Sequence, residues 1–270
     1  MRKKTFAFLA LLLCVLCIFC ASCSGTNVNK GRKINSVNHR GYTDAPENTL
    51  SAFRLSCEMG FSMVECDVSF TKDGVPVLLH DTTVNRTSDG EGKIRDLTFE
   101  EARKLDFGSW KEERYAGERI PSFSEFLQLC QELSLYPYVE VKSGASAAEV
   151  NLLAELAQDV GIDLTWISFD YEILQQLTQI FPTGRFGYVV HFVTDYTLEK
   201  ILQISAIDNY VFVDCYYLML TRSQIERCQD LSIPVEVWTL NSERLIANVH
   251  PYVSGVTSDY LNAQNIFDKL

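Results

Sequence analysis

Two histidines, three carboxylates and two basic side chains fall at the ends of apolar runs, where a fold can gather them. His39-Arg40-Gly41 follows the run 34–38, and Pro46-Glu47-Asn48-Thr49 opens a helical pattern. Glu65-Cys66-Asp67 ends the run 61–68, and His80-Asp81 closes 75–80. Alternate residues of an extended chain share a face, so Glu65 and Asp67 point together with Cys66 opposite, and Glu140 and Lys142 do the same in 136–142. Carboxylates projecting inward repel one another and resist burial unless a cation neutralises them. Glu65, Asp67 and Glu140 therefore make an oxygen-rich site for one divalent cation, Ca²⁺ or Mg²⁺. A structural ion-pair network with Arg40 and Lys142 is the alternative use of the same charges. Histidines at strand ends suit general base and general acid roles, which His39 and His80 are positioned to fill. Of the other two, His191 lacks a charged neighbour and His250 lies beside Pro251, and neither is given a role. Arg40 and Lys142 next to a metal favour an anionic, oxygen-rich substrate, best a phosphate. Trp238 is the candidate apolar wall for a glycerol or alkyl part, with ordinary core packing as its alternative.

The elements that must position these residues alternate. β-rich runs at 34–38, 61–68, 75–80, 136–142, 164–168, 185–190, 210–213, 234–240 and 255–257 are separated, for the most part, by helical patterns. The helices are expected at 47–59, 124–133, 147–160, 172–180, 198–204, 223–230, 243–249 and 261–269. Capping-box signatures mark several starts: Ser122 with Glu125, Ser146 with Glu149, Thr221 with Gln224. Eight β-then-α units over this length suit a (β/α)8 barrel, with a doubly wound open sheet as the alternative. In a barrel the shared strand face is the interior near the C-terminal mouth, where such folds place their sites. The run 75–80 reads as an extension feeding a long loop. The stretch from 82 to 118 breaks the rhythm and reads as a small excursion capping one mouth.

Composition narrows the class further. The chain has 270 residues, 47% of them hydrophobic and 22% charged, so it buries a sizeable core. A net charge of −11 argues against a nucleic-acid partner, which wants a basic face. No Gly-x-Gly-x-x-Gly, Walker loop or Gly-x-Ser-x-Gly is present, so neither a nucleotide cofactor nor an ordinary serine esterase finds support.

The first residues form a separate unit. Arg2, Lys3 and Lys4 precede an apolar run from Phe6 to Ala21 that ends in Ser22-Cys23-Ser24-Gly25, the layout of a secretory signal. That ending resembles a bacterial lipobox, with Cys20 where leucine is usual, and predicts cleavage before a lipid-modified Cys23. The expected organisation is a signal at 1–22, a polar tether at 23–33 and one domain at 34–270. Loss of the three leading cations takes the charge from −11 to −14, so the lipid rather than electrostatics would hold the protein at an anionic bilayer. The expected location is extracytoplasmic, as a membrane-anchored lipoprotein facing the periplasm or the cell surface. Five cysteines remain beyond Cys23 without metal-type spacing and read as buried thiols.

Taken in order, His39-Arg40-Gly41, Pro46-Glu47-Asn48-Thr49, Glu65-Cys66-Asp67-Val68, Lys72-Asp73-Gly74, His80-Asp81, Arg86-Thr87 and Glu140-Val141-Lys142 resemble the glycerophosphodiester phosphodiesterase family. Weaker matches continue through Gly108-Ser109-Trp110, Ile120-Pro121, Val237-Trp238-Thr239 and Gly255-Val256-Thr257-Ser258-Asp259, so the likeness spans about residue 34 to the C-terminus. The resemblance implies a (β/α)8 barrel with a small insertion after His80-Asp81. It also implies a divalent cation on Glu65, Asp67 and Glu140, an acid–base pair of His39 and His80, and Arg40 and Lys142 near the phosphate. Ser258-Asp259 departs from the family's Thr-Asp-Pro, at a place expected to lie off the chemistry. The implied function is metal-dependent hydrolysis of glycerophosphodiesters to an alcohol and glycerol phosphate by His/His acid–base catalysis. The nucleophile would be water or the neighbouring glycerol 2-hydroxyl. A lysophospholipase-D-like or other phospholipid phosphodiesterase shares these features. A pseudoenzyme holding lipid head groups would have lost some of them.

Overall fold

The computed structural model describes residues 27–206 and 208–270. Among these residues one sheet of nine strands forms: β1 (Asn35–Asn38), β2 (Met63–Phe70), β3 (Pro76–Leu78), β4 (Tyr136–Val141), β5 (Thr165–Ser168), β6 (Arg185–Val190), β7 (Tyr210–Tyr216), β8 (Val235–Trp238) and β9 (Val253–Ser258). All pair in parallel except β3, which runs antiparallel to the end of β2. β1 pairs with both β2 and β9, and this closes the eight parallel strands into a barrel. The expectation of a (β/α)8 fold holds, and the open-sheet alternative is excluded by that closure.

Each barrel strand is followed by a helix: α1 (Leu50–Glu58), α3 (Phe123–Leu133), α4 (Ala147–Val160), α5 (Tyr171–Ile180), α6 (Asp195–Ile204), α7 (Arg222–Asp230), α8 (Glu243–Ala247) and α9 (Ala263–Lys269). A one-turn helix, α2 (Phe99–Ala102), lies in the segment after His80-Asp81. The three capping boxes expected at Ser122, Ser146 and Thr221 all form. Each Ser or Thr oxygen takes an otherwise orphaned N–H, which fixes where the helix starts.

Strand alternation sorts the side chains into two layers. Val64, Cys66, Val68, Val139, Val141, Phe186, Val213 and Val237 point outward and are buried against the helices. Val37, Tyr138, Ile167, Val189 and Phe212 fill the barrel interior. Polar side chains share that inner face: Asn35, Glu65, Asp67, Glu140, Asp214 and Glu236. Interior polar groups are tolerated only where partners or ligands satisfy them, which directs attention to the mouth.

The segment between β3 and α3 has its own small core of Val77, Leu79, Val84, Ile94, Ala102, Phe107 and Ile120. Arg86 ties it to the barrel through Glu47 at 2.7 and 2.8 Å and through Asp81 at 2.7 Å. Asn29 and Arg32, in the stretch expected as a tether, are also fixed. The buried Asn29 amide donates to the carbonyls of Ala247 and Val249, and Arg32 Nη1 donates to the Val253 carbonyl at 2.7 Å. Cys57, Cys66, Cys130, Cys215 and Cys228 are free thiols, and all but Cys57 are buried. Cys23 and the apolar run before it lie outside the described residues.

Candidate active site

The site is built where β1, β2 and β4 end. The first βα turn needs Gly41, whose φ is +80° and where an added Cβ would lie 2.6 Å from Ala52 Cβ. That close approach brings the turn onto α1. Arg40 before it also has positive φ, at 56°, a strained conformation for a residue with a Cβ. The strain is held from both sides: the Arg40 N–H donates to Glu65 Oε2 at 2.9 Å, and its carbonyl accepts from Asn48 N at 2.9 Å. Asn48 then clamps Asp67, donating from Nδ2 to Oδ2 at 2.8 Å and accepting from the Asp67 N–H at 3.1 Å. Parallel pairing places Asp67 beside Glu140.

Glu65, Asp67 and Glu140 each turn one oxygen to a common point, all within 4.8 Å of one another, and all three residues are buried. Lys142 Nζ stands 2.6 Å from both Asp67 Oδ1 and Glu140 Oε1. Arg40 Nε lies 3.1 Å from Asp67 Oδ2, and its Nη1 lies 3.0 Å from Glu47 Oε1. The ion-pair network considered as an alternative therefore exists, but it is incomplete. Asp67 is held below its usual range because Lys142 and Arg40 outweigh its burial. Glu140 is raised, by burial and by Asp67, against the pull of Lys142. Glu65 has no ion pair among the described residues, and burial with the neighbouring Asp67 pushes it up to about 8. Three buried carboxylates against two cations leave a deficit of positive charge. An all-oxygen donor set with that deficit fits a hard divalent cation.

The histidines flank this triad and differ from each other. His39 Nδ1 is 2.7 Å from Asp259 Oδ1, and His80 Nδ1 is 2.7 Å from Asp81 Oδ1. Burial lowers the affinity of His39 for a proton, but the Asp259 hydrogen bond and the nearby Glu65 charge more than offset it, so its pKa is raised. For His80 burial dominates and the pKa is lowered. A cavity of about 330 Å³ joins His39, His80, Glu65, Glu140 and Trp238. Trp238 stands in its wall and donates from Nε1 to the Asp214 carbonyl at 3.2 Å.

All eight candidate residues thus come together at one mouth, and the expected chemistry is corrected in one respect. Hydrolysis was assigned to a His/His acid–base pair. The group that converges on a single point is instead the acidic triad, which makes Glu65, Asp67 and Glu140 the candidate metal site. The physical reason is that the three carboxylate oxygens share one point, whereas each histidine is bonded to its own aspartate. Asp259, expected off the chemistry, holds His39. His191, given no role, lines the same cavity beside Phe169 and Trp238, with ring centroids 5.3 and 5.6 Å away. Asn48 and Asp214 were not singled out at all. The Pro46-Glu47-Asn48-Thr49 motif was the signal that could have found Asn48.

A (β/α)8 barrel with a carboxylate triad, flanking cations and histidines at its C-terminal mouth defines a metal-assisted phosphodiester hydrolase. Residues 39–263 match the Glycerophosphoryl diester phosphodiesterase family, and the chain belongs to it. It is accordingly an enzyme of the glycerophosphodiester phosphodiesterase type. It is similar to a glycerophosphodiester phosphodiesterase of Caldanaerobacter subterraneus, 30% identical over 229 residues that cover 83% of this chain and 93% of that protein. Glycerophosphodiester phosphodiesterase 1 of Mus musculus is 44% identical over 132 residues, 47% of this chain and 40% of that one. Among solved structures, an Oleispira antarctica phosphodiesterase in complex with the product sn-glycerol-3-phosphate superposes with a TM-score of 0.79 and 28% identity, covering 86% of this chain and 94% of that one.

Proposed function

We propose that this enzyme hydrolyses glycerophosphodiesters to an alcohol and glycerol phosphate, with a single Ca²⁺ or Mg²⁺ held by Glu65, Asp67 and Glu140. The convergence of those three buried oxygens beside Arg40 and Lys142 carries the reading. When bound, the cation neutralises phosphate charge and lowers the pKa of a coordinated hydroxyl or water. The remaining work falls to this chain's own groups. Arg40 and Lys142 offer cationic donors to the non-bridging oxygens. His39, whose proton affinity Asp259 raises through Nδ1, is left with Nε2 for the substrate. His80, bonded to Asp81 through Nδ1, has Nε2 left to orient a substrate hydroxyl. Trp238 closes the apolar side of the cavity.

Phe192, Leu218 and Met219 are exposed in the connections after β6 and β7, on the same end of the barrel as the site. That apolar rim favours lysophospholipids as a second substrate class. The test is turnover of glycerophosphocholine, glycerophosphoinositol and lysophosphatidylcholine side by side, with chelator and then with Ca²⁺ or Mg²⁺ restored. Chelation should abolish turnover and the ion should return it. Full activity in metal-stripped protein would refute the reading.

The N-terminal segment supports a further proposal, that Cys23 carries lipid and anchors the enzyme on the extracytoplasmic side of a membrane. Its support is the basic start, apolar run and small-residue ending of the sequence.

A further inference from the structure

One buried acid at the mouth has no part in the chemistry described so far. Asp214 lies on β7, paired in register with Val189 of β6 and Glu236 of β8, and points into the barrel. It is 4% exposed. Its Oδ1 is fully enclosed without a hydrogen-bond partner, and neither carboxyl oxygen bonds to any described residue. No lysine or arginine among the described residues forms an ion pair with it, and Arg40 and Lys142 are engaged by Glu47, Asp67 and Glu140. Buried polar groups are almost always satisfied, so a carboxyl left unpaired at the wall of a cavity calls for an explanation. The cavity that Asp214 lines is the one containing His39, Glu65, Glu140 and Trp238. Around it the wall is apolar, with Ile167 and Val189 on the neighbouring strands.

We infer that Asp214 binds a hydroxyl of the glycerol moiety and makes the enzyme selective for glyceryl over plain alkyl phosphates. The inference rests on the proposed substrate class and adds the residue that recognises its polyol part. A three-carbon polyol has apolar carbons for Ile167 and Val189 and a hydroxyl for Asp214. A hydroxyl can both donate and accept, so it satisfies a carboxyl in either protonation state. Burial, then the charges of Glu236, Glu65 and Glu140, push the Asp214 carboxyl well up.

The test uses the full chain loaded with Ca²⁺ or Mg²⁺ and measures calorimetric Kd values for sn-glycerol 3-phosphate, n-propyl phosphate and inorganic phosphate. The wild type should prefer glycerol 3-phosphate to propyl phosphate by about tenfold or more, the scale of one buried hydrogen bond. D214V should erase most of that preference while leaving inorganic phosphate within about twofold. D214N, whose amide still donates and accepts, should keep most of it. Equal wild-type affinity for glycerol and propyl phosphates would overturn the proposal, whether or not D214V folds. Equal weakening of all three ligands in D214V would also overturn it. If the wild type neither binds glycerol 3-phosphate nor turns over glycerophosphocholine, the substrate reading itself falls and Asp214 falls with it. If turnover is normal and only the selectivity is missing, the failure is that of Asp214 alone.

Discussion

At Glu65, burial and the facing Asp67 raise the carboxyl to about 8, so without a cation it holds its proton at neutral pH. Metal must displace that proton, because only the carboxylate ligates. Affinity for Ca²⁺ or Mg²⁺ should therefore rise by up to about tenfold per pH unit between pH 6 and 8 and flatten above. Calorimetry in buffers of different ionisation enthalpy would reveal the released proton. E65Q should remove both the binding and the rise in melting temperature that a ligand of the folded state confers. A pH-independent Kd would count against Glu65 as a ligand. Asp259 carries a second prediction at this scale. D259N preserves shape but removes the charge that raises His39, so kcat should fall by at least about tenfold with little change in melting temperature. His39 would then lose its proton at lower pH, and the alkaline limb of the pH–rate profile should move to lower pH. An unmoved limb would mean that His39 does not set it. Glu65, Asp67, Glu140, Arg40 and Lys142 were legible because period-two spacing and like charge announce a shared inward face. Asp259 was not, because 220 residues separate it from His39 and only barrel closure brings β9 beside β1. Asp214 was hidden for another reason: an acid within Tyr210–Tyr216 has no neighbouring motif to mark it.

Strands and helices were legible where local chemistry fixes them. Capping boxes gave the starts of α3, α4 and α7, and alternation gave the two faces of β2 and β4. The reversal of β3 was not legible, since a three-residue apolar run carries no sign of direction. Packing inside the barrel likewise escapes a one-dimensional reading, and Glu236 on β8 illustrates it. Its carboxylate accepts from Asn35 Nδ2 at 2.8 Å, and its side chain packs into the space beside Gly255, where an added Cβ would displace it. Burial raises Glu236 to about 7, against the partial compensation of Asn35 and Arg185. The folded state thus binds a proton between pH 4.5 and 7 that the unfolded chain has released. Stability contributed by this group is present at low pH and is lost as pH rises through 7, by about 3 kcal/mol in all. E236Q should flatten that decline, so the variant gains on wild type in denaturant titrations as pH goes from 5 to 8. Parallel pH profiles for the two proteins would refute the assignment.

Over the whole molecule the question is how the domain meets a membrane, if lipid is added at Cys23. Among the described residues no helix is long and apolar enough to cross a bilayer. The described part of the stretch expected as a tether is bonded to the domain. Asn29, 0% exposed, and Arg32 are bonded to the connection between α8 and β9. From Cys23 to Asn29 the chain could span at most about 20 Å, less than half the roughly 45 Å breadth of a domain this size. An anchored enzyme would be held against the bilayer surface rather than ranging far from it. With a mature charge near −14, acyl chains contributing about 0.8 kcal/mol per buried CH₂ would have to supply the attachment. C23S should release the protein from membranes, or leave it unprocessed, with turnover of glycerophosphocholine unchanged in the purified protein. A soluble variant beginning at Asn27 should match it in activity and melting temperature. One beginning at Lys33 should melt several degrees lower, because it abandons the buried Asn29 and Arg32 bonds at about 1 kcal/mol each. Mass spectrometry of the mature N-terminus decides the first point, since an unlipidated terminus would reject the anchor. Equal melting of the two shortened variants would reject the second and leave the catalytic assignment untouched.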